Sequence, residues 1–201
     1  SALSGRLTEA LPVPVIAVGR IRPSTGDQMI GHGKTDIVAM GRQMLADPET
    51  GRKVRENRVE EIRPCINCYV CVAQPFFDRR VKCAVNPVLA RESELGAVES
   101  TPAETPKKIV VVGGGPAGLE VARVATLRGH DVTVFEAARN IGGALRFAAL
   151  LYEPNLWLLR WYEHEMRRLA VDVRTATTAT PEAVAALSPD RVVVATGAAR
   201  T

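Results

Sequence analysis

Outside residues 65–83 this 201-residue chain has no cysteine. Aromatic residues make up only 4% of it, and Lys and Arg form no long blocks with aromatics between them. The net charge of +4 therefore reads as a solvated basic surface, not a nucleic-acid interface. No apolar run is long enough to span a bilayer, and the start lacks the basic–apolar–small pattern of a secretory signal. A cytoplasmic protein with no membrane partner is expected, and in that compartment thiols stay reduced. Disulfides are thus the weak reading of the cysteines. The three histidines, His32, His130 and His164, stand apart in sequence. Polar or surface roles suit them, and no residue here is nominated as catalytic.

What is present suits a folded α/β protein: 46% hydrophobic and 24% charged residues. Over residues 1–61 two short β-branched runs, "PVIAVGRI" and "DIVAMGRQM", are each marked by Gly-Arg. Between them "PSTGDQMIGHGK" reads as a helix closed by Gly33. Strand–helix–strand spacing of this kind predicts parallel strands buried on both faces. A further helical turn is expected in "LADPETGRKVRENR". Residues 62–90 are Pro-rich and aperiodic, which predicts loops around a ligand. Residues 91–107 are polar and Pro-containing, as in an extended connector. Residues 108–201 predict a second α/β unit: a strand, a Gly-rich turn, a helix stopped at Gly129, and a strand. After these come a long helix through "NLWLLRWYEHEMRRLA", a strand "VDVRT", a short helix capped by Thr180, and a last strand "DRVVVATG".

The four cysteines, Cys65, Cys68, Cys71 and Cys83, are spaced C-x2-C-x2-C followed by eleven residues and the fourth. Three thiolates on one loop and a fourth from elsewhere suit a 4Fe–4S cluster, in which each thiolate takes one iron. Structural zinc more often uses two paired knuckles, and stays as the alternative. Phe76 and Phe77 could shield a cluster or be plain core. Arg79, Arg80 and Lys82 read as surface cations.

In "IVVVGGGPAGLE", Gly113, Gly115 and Gly118 form G-x-G-x-x-G between an apolar strand and a helix. This pattern turns the chain, admits a pyrophosphate and packs the helix close to the strand. Glu136 closes the next strand eighteen residues past Gly118, where an acid can hydrogen-bond a ribose 2′-hydroxyl. Gly142 and Gly143, with Thr196-Gly197 after the last strand, tilt the reading from NAD to FAD.

The motif order resembles the iron–sulfur flavoproteins of the 2,4-dienoyl-CoA reductase and trimethylamine dehydrogenase type. These join an Old Yellow Enzyme barrel to a cluster module and a disulfide-reductase-like dinucleotide domain. The resemblance implies that residues 1–61 are strands 7 and 8 of a TIM barrel, with Gly19, Arg20, Gly41 and Arg42 at an FMN phosphate. It implies that Cys65, Cys68, Cys71 and Cys83 ligate the cluster in a 62–90 module. It implies that 108–201 is the first half of a Rossmann-like FAD or ADP domain gripped by Gly113, Gly115, Gly118, Glu136 and Gly143. The function implied is an electron relay within an NAD(P)H-dependent flavin oxidoreductase. The chain then reads as an internal piece, inactive by itself, whose partners are the barrel and nicotinamide segments or another copy in a homo-oligomer. The rival readings are a stand-alone electron-transfer module docking on a separate reductase, and a zinc-stabilised nucleotide-binding protein.

Overall fold

The computed structural model describes residues 2–96 and 98–198. It divides into two compact units, 1–90 and 91–201, and the sheets of both are parallel.

In the first unit, helix α1 (Ala2–Ala10) precedes strand β1 (Ile16–Val18), helix α2 (Pro23–Gly31) and strand β2 (Ile37–Ala39). The strands pair in register, Ile16 opposite Ile37 and Val18 opposite Ala39. Buried Thr35 stitches their entry, donating to Val15 O at 2.7 Å and accepting from Ala17 N at 3.1 Å. The expected burial on both faces does not hold within this chain: Ile16, Val18 and Ile37 are all exposed. Among the described residues too little packs on their face of the two-stranded sheet to cover it. The second strand also stops earlier than its apolar run predicts. Gly41–Ala46 is instead helix α3, which with α4 (Thr50–Arg55) and a 3-10 turn (Val59–Glu61) leads into the cysteine region.

That region, expected to be loop, contains helix α5 (Val70–Ala73) and a 3-10 turn (Gln74–Phe77). The α3 segment ties down both of its ends. Buried Gln43 donates to Arg63 O at 2.9 Å and accepts from Cys65 N at 3.0 Å. Asp47 accepts from Arg63 N at 2.9 Å. At the far end, Asn86 Nδ2 donates to Leu45 O at 2.9 Å. Buried polar groups on a loop need such partners, because an unmet one costs about 1–3 kcal/mol.

In the second unit the expected connector is partly helical, with α6 at Glu92–Leu95. The sheet order is β5-β4-β3-β6, all parallel: β3 (Lys108–Val112), β4 (Asp131–Phe135), β5 (Asp172–Arg174) and β6 (Arg191–Val194). The helices are α7 (Pro116–Leu127), α8 (Ala144–Leu151), α9 (Glu153–Arg168) and α10 (Pro181–Ala185). β3 is a run of β-branched residues, and its Val110 and Val111 are fully buried. Helix α7 buries Leu119, Ala122 and Ala125, and α9 buries Leu158, Leu159, Trp161, Tyr162 and Met166. Each large side chain in this set contributes about 1.5–3 kcal/mol by leaving water. Thr180 caps α10, its Oγ1 accepting from Ala183 N at 3.2 Å. The segment expected as a connector is anchored through Glu99. Buried Arg123 of α7 donates to Glu99 at 2.5 Å and Glu120 at 2.8 Å, and lies 5.5 Å from the Trp161 ring centre.

Candidate functional site

The chain turns sharply after β1 and again after β2. Gly19 has φ +126° and Arg20 φ +51°, so two successive residues take left-handed backbone. For Arg20 this conformation carries strain, which in proteins gathers at binding sites. These ends frame a cleft of about 220 Å³, lined by Gly19, Arg20, Gly41, Arg42, Gln43, Cys65 and Asn67 among others. All four residues expected at a phosphate thus border one cavity, and a cysteine from the next segment joins them. Within it Nη1 of Arg42 is buried with no hydrogen-bond partner. A cationic donor left unmet in a cleft is suited to an anion.

One residue that engages the two arginines of this cleft was invisible to motif reading. Tyr69, between Cys68 and Cys71, has φ +61°. Its hydroxyl accepts from Arg20 Nη2 at 2.6 Å and Nε at 3.1 Å. The Arg42 guanidinium lies 4.5 Å from its ring centre. Hydrogen bonds from Arg20 and Arg42 hold the phenol below its ordinary range.

All four cysteines are free thiols. Burial pushes the Cys65 thiol up, the Asn67 hydrogen bond and the Arg42 cation pull it down, and Cys83 and Cys71 push it up again. Cys71 and Cys83 are therefore each within electrostatic reach of Cys65. No three His, Cys, Asp or Glu side chains among the described residues close to the geometry of a single metal ion. A tetrahedral zinc would need sulfurs about 3.8 Å apart, from Zn–S bonds of about 2.3 Å. A cluster holds each thiolate on its own iron and spreads the sulfurs further. Phe76 and Phe77 are exposed, neither core nor shield within this chain, and Arg79, Arg80 and Lys82 are exposed as expected. His32 is exposed, and His130 Nδ1 accepts from Lys107 N at 3.0 Å.

In the second unit the glycine loop joins β3 to α7. Gly113 has φ +110°, and a side chain there would strike the Ala195 carbonyl at the end of β6. A Cβ on Gly118 would overlap the Gly113 carbonyl, so the helix approaches the turn only because residue 118 is glycine. At Gly115 a Cβ would meet nothing within 4 Å, which leaves open space at the N-cap of α7. The Gly142–Gly143 stretch closes on this loop: Gly142 N donates to Gly114 O at 2.7 Å, and a Cβ on Gly143 would lie 3.2 Å from Gly115 Cα. Glu136 Oε2 accepts from Gly114 N and Oε1 from Ala138 N, both at 2.8 Å. A carboxylate has about four acceptor sites, so capacity for ligand hydroxyls is left. The structure thus gathers Gly113, Gly115, Gly118, Glu136 and Gly143 at one loop.

The profile of the NADH:flavin oxidoreductase / NADH oxidase family matches residues 5–61, and that of pyridine nucleotide-disulphide oxidoreductases matches 96–180. The chain is thus similar to NADH:flavin oxidoreductases over its first part and to pyridine nucleotide-disulphide oxidoreductases over its second. Its sequence is 42% identical over 202 residues to an NADH oxidase of Thermoanaerobacter brockii, covering 97% of this chain and 30% of that protein. It is 39% identical to an N,N-dimethylglycine/sarcosine dehydrogenase of Chromohalobacter salexigens, covering 97% of this chain and 29% of that one. The structure of a 2-naphthoyl-CoA reductase complex superimposes with a TM-score of 0.92 at 34% identity, over 97% of this chain and 30% of that one. The chain spans about 30% of the length of these relatives. No helix among the described residues is long and apolar enough to cross a membrane.

Proposed function

We propose that this chain is the electron-relay segment of an NAD(P)H-dependent iron–sulfur flavin oxidoreductase. The observation that carries the reading is the shared cleft: Gly19, Arg20, Gly41 and Arg42 border the same cavity as Cys65. In this reading residues 1–61 are the last two strands of a TIM barrel, 62–90 the cluster module, and 108–201 part of a Rossmann-like domain.

Arg20 and Arg42 bind and neutralise the phosphate of FMN. Cys65, Cys68, Cys71 and Cys83 hold a 4Fe–4S cluster, which supplies one-electron carriage between FMN and FAD. The Arg42 cation lowers the cost of negative charge on Cys65. At the other centre Gly115 leaves room for the pyrophosphate of FAD, and Glu136 accepts from the adenosine ribose while fixing the glycine turn through Gly114. The open N-terminus of α7 adds amide dipoles toward that pyrophosphate.

The test is cofactor analysis of the intact protein purified without oxygen. About four irons and four sulfides per chain are expected, with FMN and FAD in the released flavin. Stoichiometric zinc, or protein without flavin after iron-replete expression, would overturn the reading.

A further inference from the structure

Tyr69 is the one side chain of the thiol loop engaged with both arginines of the anion cleft. Its position follows from three features. The left-handed backbone at Asn67 (φ +51°) and again at Tyr69 (φ +61°) curls the loop. Neither is glycine, so each costs free energy that another interaction must offset. The phenol is then fixed by two donors from one guanidinium, at 2.6 and 3.1 Å, across 49 residues of sequence. Arg42 stacks on its face at 4.5 Å, a geometry worth about 0.5–1 kcal/mol at an exposed site.

The hydroxyl uses its oxygen as acceptor, and its own proton is given to no acceptor among the described residues. A phenol whose lone pairs are taken by cations presents a strengthened O–H donor. Beside it stand Arg20 and the unmet Nη1 of Arg42. The set is thus two cations that line one cavity and a hydroxyl donor held against both of them, the chemistry that recognises a phosphate monoester.

We propose that Tyr69 is a ligand of the phosphate group, contributed by the thiol loop, its O–H donating to a phosphate oxygen held by Arg20 and Arg42. The inference rests on the reading of this cleft as a phosphate site. It adds that the site is completed by a residue lying between two of the thiols, so filling the cleft also orders the loop that carries Cys68 and Cys71.

The experiment compares flavin mononucleotide with riboflavin, which lacks the phosphate, as ligands of the flavin-stripped intact protein. Binding is followed by quenching of flavin fluorescence. Tyr69→Phe keeps the ring and removes only the donor. It is expected to weaken flavin mononucleotide about tenfold, the loss of one hydrogen bond to a charged group, and to leave riboflavin unchanged. Tyr69→p-aminophenylalanine, which restores a donor on the same ring, is expected to recover most of the preference. A Phe variant with the wild-type preference, or one that loses both flavins equally, overturns the role of Tyr69. If Arg42→Ala and the wild type alike bind the two flavins equally, the reading of the cleft itself fails, which is a separate outcome.

Discussion

The backbone N–H of Gly114 donates to Oε2 of Glu136 at 2.8 Å, joining the glycine loop to the end of the neighbouring strand. Glu136 thereby serves the turn before any ligand arrives. Glu136→Ala is expected to weaken binding of ADP by about 1–3 kcal/mol, through one lost charge-assisted hydrogen bond and a looser loop. Isothermal calorimetry checks this, and an unchanged affinity would restrict the carboxylate to shaping the turn.

Cys83 is distant in sequence from the other three thiols yet raises the pKa of Cys65. Cys83→Ser is expected to lower iron to well under half the wild-type content and bleach the broad absorbance near 400 nm. Wild-type iron and spectrum in this variant would remove Cys83 from the ligand set.

Arg123 is almost fully buried, and burial by itself would lower its pKa. The hydrogen bonds and charges of Glu120 and Glu99 outweigh that and leave it raised. Arg123→Met is expected to destabilise the second unit by about 2–4 kcal/mol, discounted because Glu99 is 31% exposed. Glu99→Ala should cost about 1 kcal/mol or less. Urea denaturation reads both, and equal losses would show that the pair with Glu120 contributes nothing of its own.

The exposed side chains of β1 and β2, Ile16, Val18 and Ile37, form an unpaired apolar face in this chain. Expressed by itself, the 201-residue chain is expected to self-associate at micromolar concentration. Light scattering that gives a clean 21.7 kDa species would contradict this.

Gln43→Leu removes the hydrogen-bonding partner of Arg63 O and Cys65 N while keeping the volume. A loss of about 2–4 kcal/mol is expected, together with poorer retention of iron. A variant as stable as wild type, with full iron, would show that Asp47 and Asn86 hold the thiol loop unaided.

The strand–turn–helix–strand run from Lys108 to Phe135 was legible because valine repeats, spaced glycines and a closing acid all point the same way. Helix α8 was not, since Leu150 and Leu151 are 83% and 90% exposed and its composition has no polar face to set a period. Helix α3 begins on a glycine inside what reads as a continuing strand. The cysteines and the glycine-loop residues could be named from their spacing, whereas Gly19, Arg20, Gly41 and Arg42 were implied only by the family resemblance. Tyr69 occupies an unspecified position within its motif, and only folding brings it to Arg20 and Arg42.

The tie made by Gln43 bears on how such a protein can change over generations. One buried amide sets the offset between the anion cleft, whose wall it forms in part, and the first thiol. Residues 72–82 can then be rewritten without resetting that offset. A single side chain acts as a spacer between two regions under different selection. Divergence is expected to concentrate in residues 72–82 and to spare Gln43.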